Sequence, residues 1–169
     1  MEDYILNISP IDGRYRELTE DIREHFNEYN LIKNRIIVEI KWLQKMSELS
    51  NIKFELTDYE FTILEKIIQK FDLSECKRVK EIENETKHDV KAVEYYIDEK
   101  LREHKMIRFI PFVHFACTSE DINNLAYGLM ISKLKKVYVR NAESLIEKIY
   151  EWCGYSKFDL INNEIRLYY

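Results

Sequence analysis

Apolar residues recur along this chain every three to four positions, and only short polar segments break the recurrence. Ile32, Ile36, Ile40, Leu43 and Met46 form one stripe, which predicts a helical region from about Leu18 to Leu49 with a bend near Asn27 to Asn30. Thr57 and Glu60 have the spacing of a capping box, so a helix should open there and bury Phe61, Leu64, Ile68 and Phe71. Ser74 is expected to cap a short helix running through Ile82. A further helix should start near His88 and bury Val90, Val93, Ile97 and Leu101. Its other face would leave Lys91, Glu94, Asp98 and Lys100 to water.

The pattern changes twice toward the end of the chain. Ile107 to Cys117 is apolar but interrupted by Pro111, which predicts a short helix or turn packed beneath its neighbours. From Ser119 to about Trp152 one long helix is expected, with Thr118 as its cap and Asp121 three residues on. Ile122, Leu125, Ala126, Leu129, Met130, Ile131 and Leu134 cover most of its circumference. A helix apolar nearly all round needs neighbours on every side. Nothing else in the chain is long enough to supply them all, so other subunits or further sequence must. Gly154 suits the residue just past that helix. The tail from Tyr155 to Tyr169 has weak periodicity, and Met1 to Tyr15 reads as an extended lead-in ending in an Asp12-Gly13 turn.

Composition narrows the fold to all-α. Strands joined by tight turns need glycine and proline punctuation, and 169 residues here contain 3 glycines and 2 prolines. That length buries one core, or one small domain plus part of another. Acidic residues outnumber basic ones, 31 to 26, with both signs mixed along the chain, so there is no basic stripe for nucleic acid. Lys133, Lys135, Lys136 and Arg140 fall on the long helix and read as a solvated face. Glu2 and Asp3 open the chain without an apolar run, which argues against a signal peptide, and no segment approaches the ~20 apolar residues of a membrane span. Cys76, Cys117 and Cys153 are odd in number and lack metal-ligand spacing. They read as reduced thiols in a cytoplasmic protein without a metal site.

Three polar segments could carry chemistry: Ser9-Pro10-Ile11-Asp12-Gly13-Arg14-Tyr15, Lys87-His88-Asp89 and Thr118-Ser119-Glu120-Asp121. The last two sit where helices should begin. The first backbone N–H groups of a helix lack intrahelical partners and that end is positive, so such residues either cap the helix or help hold an anion. From the residues alone both readings stay open. Arg14 and Tyr15 could be a surface arginine and a packed tyrosine, His88 a polar first turn, and Thr118 and Ser119 plain caps. His114 reads as structural, Asn123 and Asn124 as weaker supporting candidates, and His25 and His104 as residues without a role.

These three strings resemble the N-terminal part of the adenylosuccinate lyase family, within the fumarase/aspartase superfamily. The likeness runs from about Ile8 to about Trp152 and then fails. It implies an N-terminal helical domain over 1–116, the first long helix of a central bundle over 117–153, and a divergent tail over 154–169. It also implies a homotetramer whose helices pack into one bundle and whose sites draw on several subunits. The implied reaction is β-elimination of fumarate from adenylosuccinate to give AMP, together with cleavage of the succinylated carboxamide intermediate of purine synthesis. No metal or organic cofactor is implied.

By the same resemblance, Arg14 and Tyr15 contact the substrate phosphate, Lys87, His88 and Asp89 line the substrate, and Thr118 and Ser119 hold the succinyl carboxylates. His88 has at most a supporting role in proton transfer or orientation. The family's acid histidine lies in a Thr-His-Gly-Gln stretch and its base is a serine in a Ser-Ser-Xaa-Met-Pro-Xaa-Lys-Xaa-Asn loop. Neither string occurs in this chain. The resemblance therefore supplies binding residues without the two proton-transfer residues, and the chain alone is expected to be inactive. The alternative is a non-catalytic helical module, or a truncated product that associates with full-length lyase.

Overall fold

Side-chain caps set the helix boundaries more sharply than the apolar stripes do. In the computed structural model, residues 8–49 and 54–153 are described. Among them six α-helices form and no strand: α1 (Glu20–Arg23), α2 (Glu28–Met46), α3 (Asp58–Lys70), α4 (Leu73–Thr86), α5 (Asp89–Glu103) and α6 (Ser119–Trp152). Short 3-10 helices cover Glu17–Thr19 and Ile107–Phe112. The all-α expectation holds for these residues.

The bend expected near Asn27 to Asn30 within the Leu18 to Leu49 region is a full break before α2. Asn27 is extended and its side-chain oxygen accepts the Asn30 N–H at 2.8 Å, so a fresh helix starts there. The Thr57–Glu60 capping box forms, with reciprocal bonds of 3.2 and 3.0 Å. Its helix buries Ile63, Leu64 and Ile67, followed by Phe71, while Phe61 is exposed. The Lys41 ammonium lies over the Phe61 ring at that rim, which suits a half-wet aromatic. At α4 the cap is Asp72 rather than Ser74, because the Asp72 carboxylate accepts both the Ser74 and Glu75 N–H groups. The helix then outlasts Ile82 and stops at Lys87, which takes a left-handed φ of 54°.

Helix α5 buries Val90, Val93, Ile97 and Leu101 as expected, and Ala92 and Tyr96 with them. Its polar face differs from the expectation. Lys91, Glu94, Asp98 and Lys100 are half-buried, and the lysines pair locally: Lys91 with Glu94 at 2.6 Å, Lys100 with Glu75 at 2.9 Å. The Ile107–Phe112 turn drops Phe109 into the core.

The chain divides into two units, one of them Arg23–Ile131 and the other built from the two flanking segments. In Arg23–Ile131, α2 packs against α3, α4 and α5, and α4 lies along α5. An aromatic run links them. Tyr29 stacks on Phe71 at 5.8 Å, and Phe71 meets Tyr96 edge-on at 5.6 Å. The start of α6 joins this unit through Ile122, Ala126 and Met130, all buried, while Leu125, Leu129 and Ile131 on its other sides are exposed.

In the second unit the described residues are 8–22 and 132–153. The segment from Ser9 to Tyr15 forms consecutive turns rather than an extended lead-in, with the Asp12 N–H on the Ser9 carbonyl and the Tyr15 N–H on the Pro10 carbonyl. The Thr19 hydroxyl closes this segment onto the Arg16 carbonyl at 3.1 Å. Lys133, Lys135 and Lys136 are exposed, and Arg140 pairs with Asp21 at 2.5 Å. Gly154 and the tail beyond it, like Met1–Asn7, lie outside the described residues.

Candidate active site

Two of the three polar segments meet on one face of α2. The contact begins with packing: Val38 of α2, Val90 of α5 and Ile122 of α6 form a small buried cluster with Cys117 against it. This brings the first turn of α5 and the first turn of α6 together, although 29 residues separate His88 from Cys117 in the sequence.

His88 caps α5, and its Nδ1 accepts the Lys91 N–H at 3.1 Å. That bond puts the proton of a neutral ring on Nε2, leaving a donor on an exposed side chain. Lys87 is exposed beside it, its main chain held in the left-handed turn by a 2.8 Å bond from its N–H to the Glu83 carbonyl. Asp89 is turned the other way. One oxygen accepts the Val90 N–H at 2.9 Å and the other accepts the Arg35 guanidinium at 2.6 Å. Burial works against its charge, but the Val90 N–H and Arg35 together hold its carboxyl below the usual range.

Thr118 and Asp121 form a reciprocal cap at the start of α6. The Thr118 N–H donates to Asp121 at 2.7 Å, its hydroxyl does so at 2.8 Å, and the Asp121 N–H returns to the Thr118 hydroxyl at 3.4 Å. The Thr118 N–H, then its hydroxyl, lowers the Asp121 carboxyl from its ordinary value. Ser119 is half-buried, and among the described residues its hydroxyl has no hydrogen-bond partner. Arg14 and Tyr15 belong to the second unit, where both are exposed and the guanidinium stacks 5.3 Å from the phenol centroid. The described residues contain no group of three or more His, Cys, Asp or Glu side chains suited to a metal ion.

A family profile described simply as lyase matches residues 13–152, most of the chain. The chain belongs to that lyase family. Its relatives include adenylosuccinate lyase of Buchnera aphidicola from Schizaphis graminum, 42% identical over 163 residues that make up 94% of this chain and 35% of the relative. That of Haemophilus influenzae is 41% identical over 147 residues, 84% of this chain and 32% of the relative. That of Escherichia coli K12 is 44% identical over 128 residues, 73% and 28% respectively. The chain thus spans about a third of the length of the relatives it matches.

The chain also has polar residues that its sequence pattern did not single out. Arg35 and Glu39 are charged, yet their side chains are 6% and 0% exposed. They sit four residues apart on α2, and Trp42 follows three later. Each reaches a segment that carries a motif. Arg35 bonds Asp89 and Asn123. Glu39 accepts the backbone N–H of His114 at 3.1 Å and lies 2.6 Å from its Nδ1. The Trp42 indole donates to the Phe115 carbonyl at 2.8 Å. His114 and Ala116 both have left-handed φ, near 58° and 59°, a conformation that persists only where the surroundings fix it. Glu39 and Trp42 do that fixing. One signal was present in the sequence: Arg35 and Glu39 lie among the apolar positions of an otherwise regular stripe.

Proposed function

We propose that this chain forms the substrate-binding portion of an adenylosuccinate lyase, a carbon–nitrogen lyase that releases fumarate from adenylosuccinate and leaves AMP. The same portion would serve the succinylated carboxamide intermediate of purine synthesis. The observation that carries the reading is the meeting of the α5 and α6 starts on α2, where one Arg35 guanidinium bonds both Asp89, next to His88 in the chain, and Asn123, four residues past Ser119. The relatives named above support it.

In this reading Arg14 and Tyr15 bind the phosphate, since a guanidinium fork suits phosphate geometry and the phenol adds a donor. Lys87 and His88 face the substrate, with Asp89 bracing their turn. Ser119, the free N–H groups of the α6 start and Thr118 hold the succinyl carboxylates. The elimination needs a base for the proton beside a carboxylate and an acid for the departing nitrogen. The family strings that supply them do not occur in these 169 residues.

Adenylosuccinate titrated into the purified chain should bind without release of fumarate. Arg14→Ala, which removes a charge-assisted hydrogen bond of about 1.5–3 kcal/mol, should weaken binding roughly ten- to a hundred-fold. Unchanged affinity would remove Arg14 from the site, and fumarate release abolished by His88→Ala would overturn the expectation of an inactive chain.

The exposed apolar sides of α6 favour association with further copies, as a tetramer or with full-length lyase, in the cytoplasm. Leu125 is 60% exposed and Ile131 55%. Leu125 and Leu129 also line an open apolar groove of about 860 Å³ between α2 and the α6 start. Burying each such side chain is worth about 1.5–3 kcal/mol. Sedimentation should show oligomers, and a stable compact monomer would contradict the reading.

A further inference from the structure

We propose that Arg35 is a positioning residue that couples the two ligand-facing helix starts, so that the α5 turn and the α6 turn are set as one piece. This rests on the reading of those turns as a substrate site. Arg35 lies in the middle of α2, with its side chain 6% exposed. Its Nε donates to Asn123 Oδ1 at 2.8 Å and its Nη2 donates to Asp89 Oδ2 at 2.6 Å. Those two donors are the same edge of one planar guanidinium, so both acceptors are held side by side in its plane.

Asp89 follows His88 directly, and Asn123 opens the second turn of α6, four residues beyond Ser119. A displacement of either turn must therefore strain the bond to the other. A purely structural arginine would need only one buried carboxylate as partner. This one divides its edge between two helices that, among the described residues, make no polar side-chain bond directly to each other. An ammonium cannot reproduce the arrangement, because it is a single point with no fixed fork.

The inference also explains the weak candidate Asn123. Its amide oxygen faces inward to Arg35 and is the α6 half of the coupling rather than a ligand contact. Asp89 is the α5 half. Its outward neighbour, the Nε2 of His88, is thereby left to face solvent or substrate.

Amide hydrogen exchange of the whole chain tests the coupling without any ligand. Asn123→Ala, a change on α6, should speed exchange of the Val90 and Lys91 amides on α5 by about tenfold. Asp89→Asn, a change on α5, should do the same for Thr118 and Ile122 on α6. In an Arg35→Lys background both cross-effects should vanish while far-UV circular dichroism stays unchanged. Effects confined to the substituted helix, or cross-effects that survive Arg35→Lys, would overturn the proposal. If Arg35→Lys does not fold, the two milder variants still decide, because each alone must perturb the distant turn. Added adenylosuccinate separates the two layers. It should shift His88 and Ser119 signals in the parent chain and bind about tenfold more weakly to Asn123→Ala. Cross-effects without any ligand shift would keep the coupling and overturn the substrate reading.

Discussion

Replacing His114 with alanine is expected to destabilise the chain by about 1–3 kcal/mol, the usual cost of leaving a buried polar group without its hydrogen-bond partner, and by more where that group is charged. Glu39 has no exposed side-chain surface, and its carboxylate touches both the ring and the backbone N–H of His114. Alanine keeps the N–H but removes the ring, so the buried carboxylate would be left with one donor and with the Glu94 carboxylate still working against its charge. Burial already pushes the Glu39 carboxyl above its ordinary 4.5, against the lowering effect of His114. Without the ring the upward push is unopposed on that side.

A carboxyl whose folded pKa lies above its unfolded one keeps its full contribution at low pH and loses it as pH rises through the folded value. The cost of His114→Ala should therefore be smallest below pH 4.5 and grow as pH rises above it. Urea unfolding across that range measures this, and a pH-independent loss would show that Glu39 does not carry it. In Glu39→Gln/His114→Ala the charge is gone, so the growth with pH should disappear.

Tyr96→Ala should cost about 3–5 kcal/mol, as for other buried aromatics, whereas Tyr96→Phe should cost about 1 kcal/mol. The ring is 1% exposed and wedges edge-on against Phe71, so truncation opens a cavity where α3, α4 and α5 meet. The hydroxyl makes a separate contribution. It donates to Glu75 at 2.7 Å, and Lys100 binds the same carboxylate at 2.9 Å. Phenylalanine would leave Glu75 paired with Lys100, which is why its loss should be small. Burial, then Glu75, pushes the phenol far above its ordinary range, so the hydroxyl keeps the proton it donates to Glu75. Equal losses for both variants in thermal unfolding would mean that the hydrogen bond, not the packing, dominates.

The helices themselves were legible because their signals are local. The stripe of Ile32, Ile36, Ile40, Leu43 and Met46 is buried throughout. The Thr57–Glu60 box forms, as does the cap at Thr118. Misreadings were local as well. Asp72 outcompeted Ser74 because a carboxylate just outside the helix reaches two orphan N–H groups at once. Phe61 was placed in the core by periodicity alone, but the buried face is centred on Ile63, Leu64 and Ile67.

By itself, the sequence determined which stretches are helices, where α6 begins, and that α6 is apolar nearly all round, with Leu125, Leu129 and Ile131 exposed among the described residues. It also marked His88, Thr118 and Ser119 as residues at helix starts. Only the tertiary structure decided which of these starts meet. Arg35 reaches Asp89 across 54 residues and Asn123 across 88, and Glu39 reaches His114 across 75. Spacing rules for helices report neighbours three or four residues apart and carry no information about such pairs. A charged residue inside an apolar stripe announces that it needs a partner, since burial without one is too costly. Which partner it finds is settled when α2, α5 and α6 pack together.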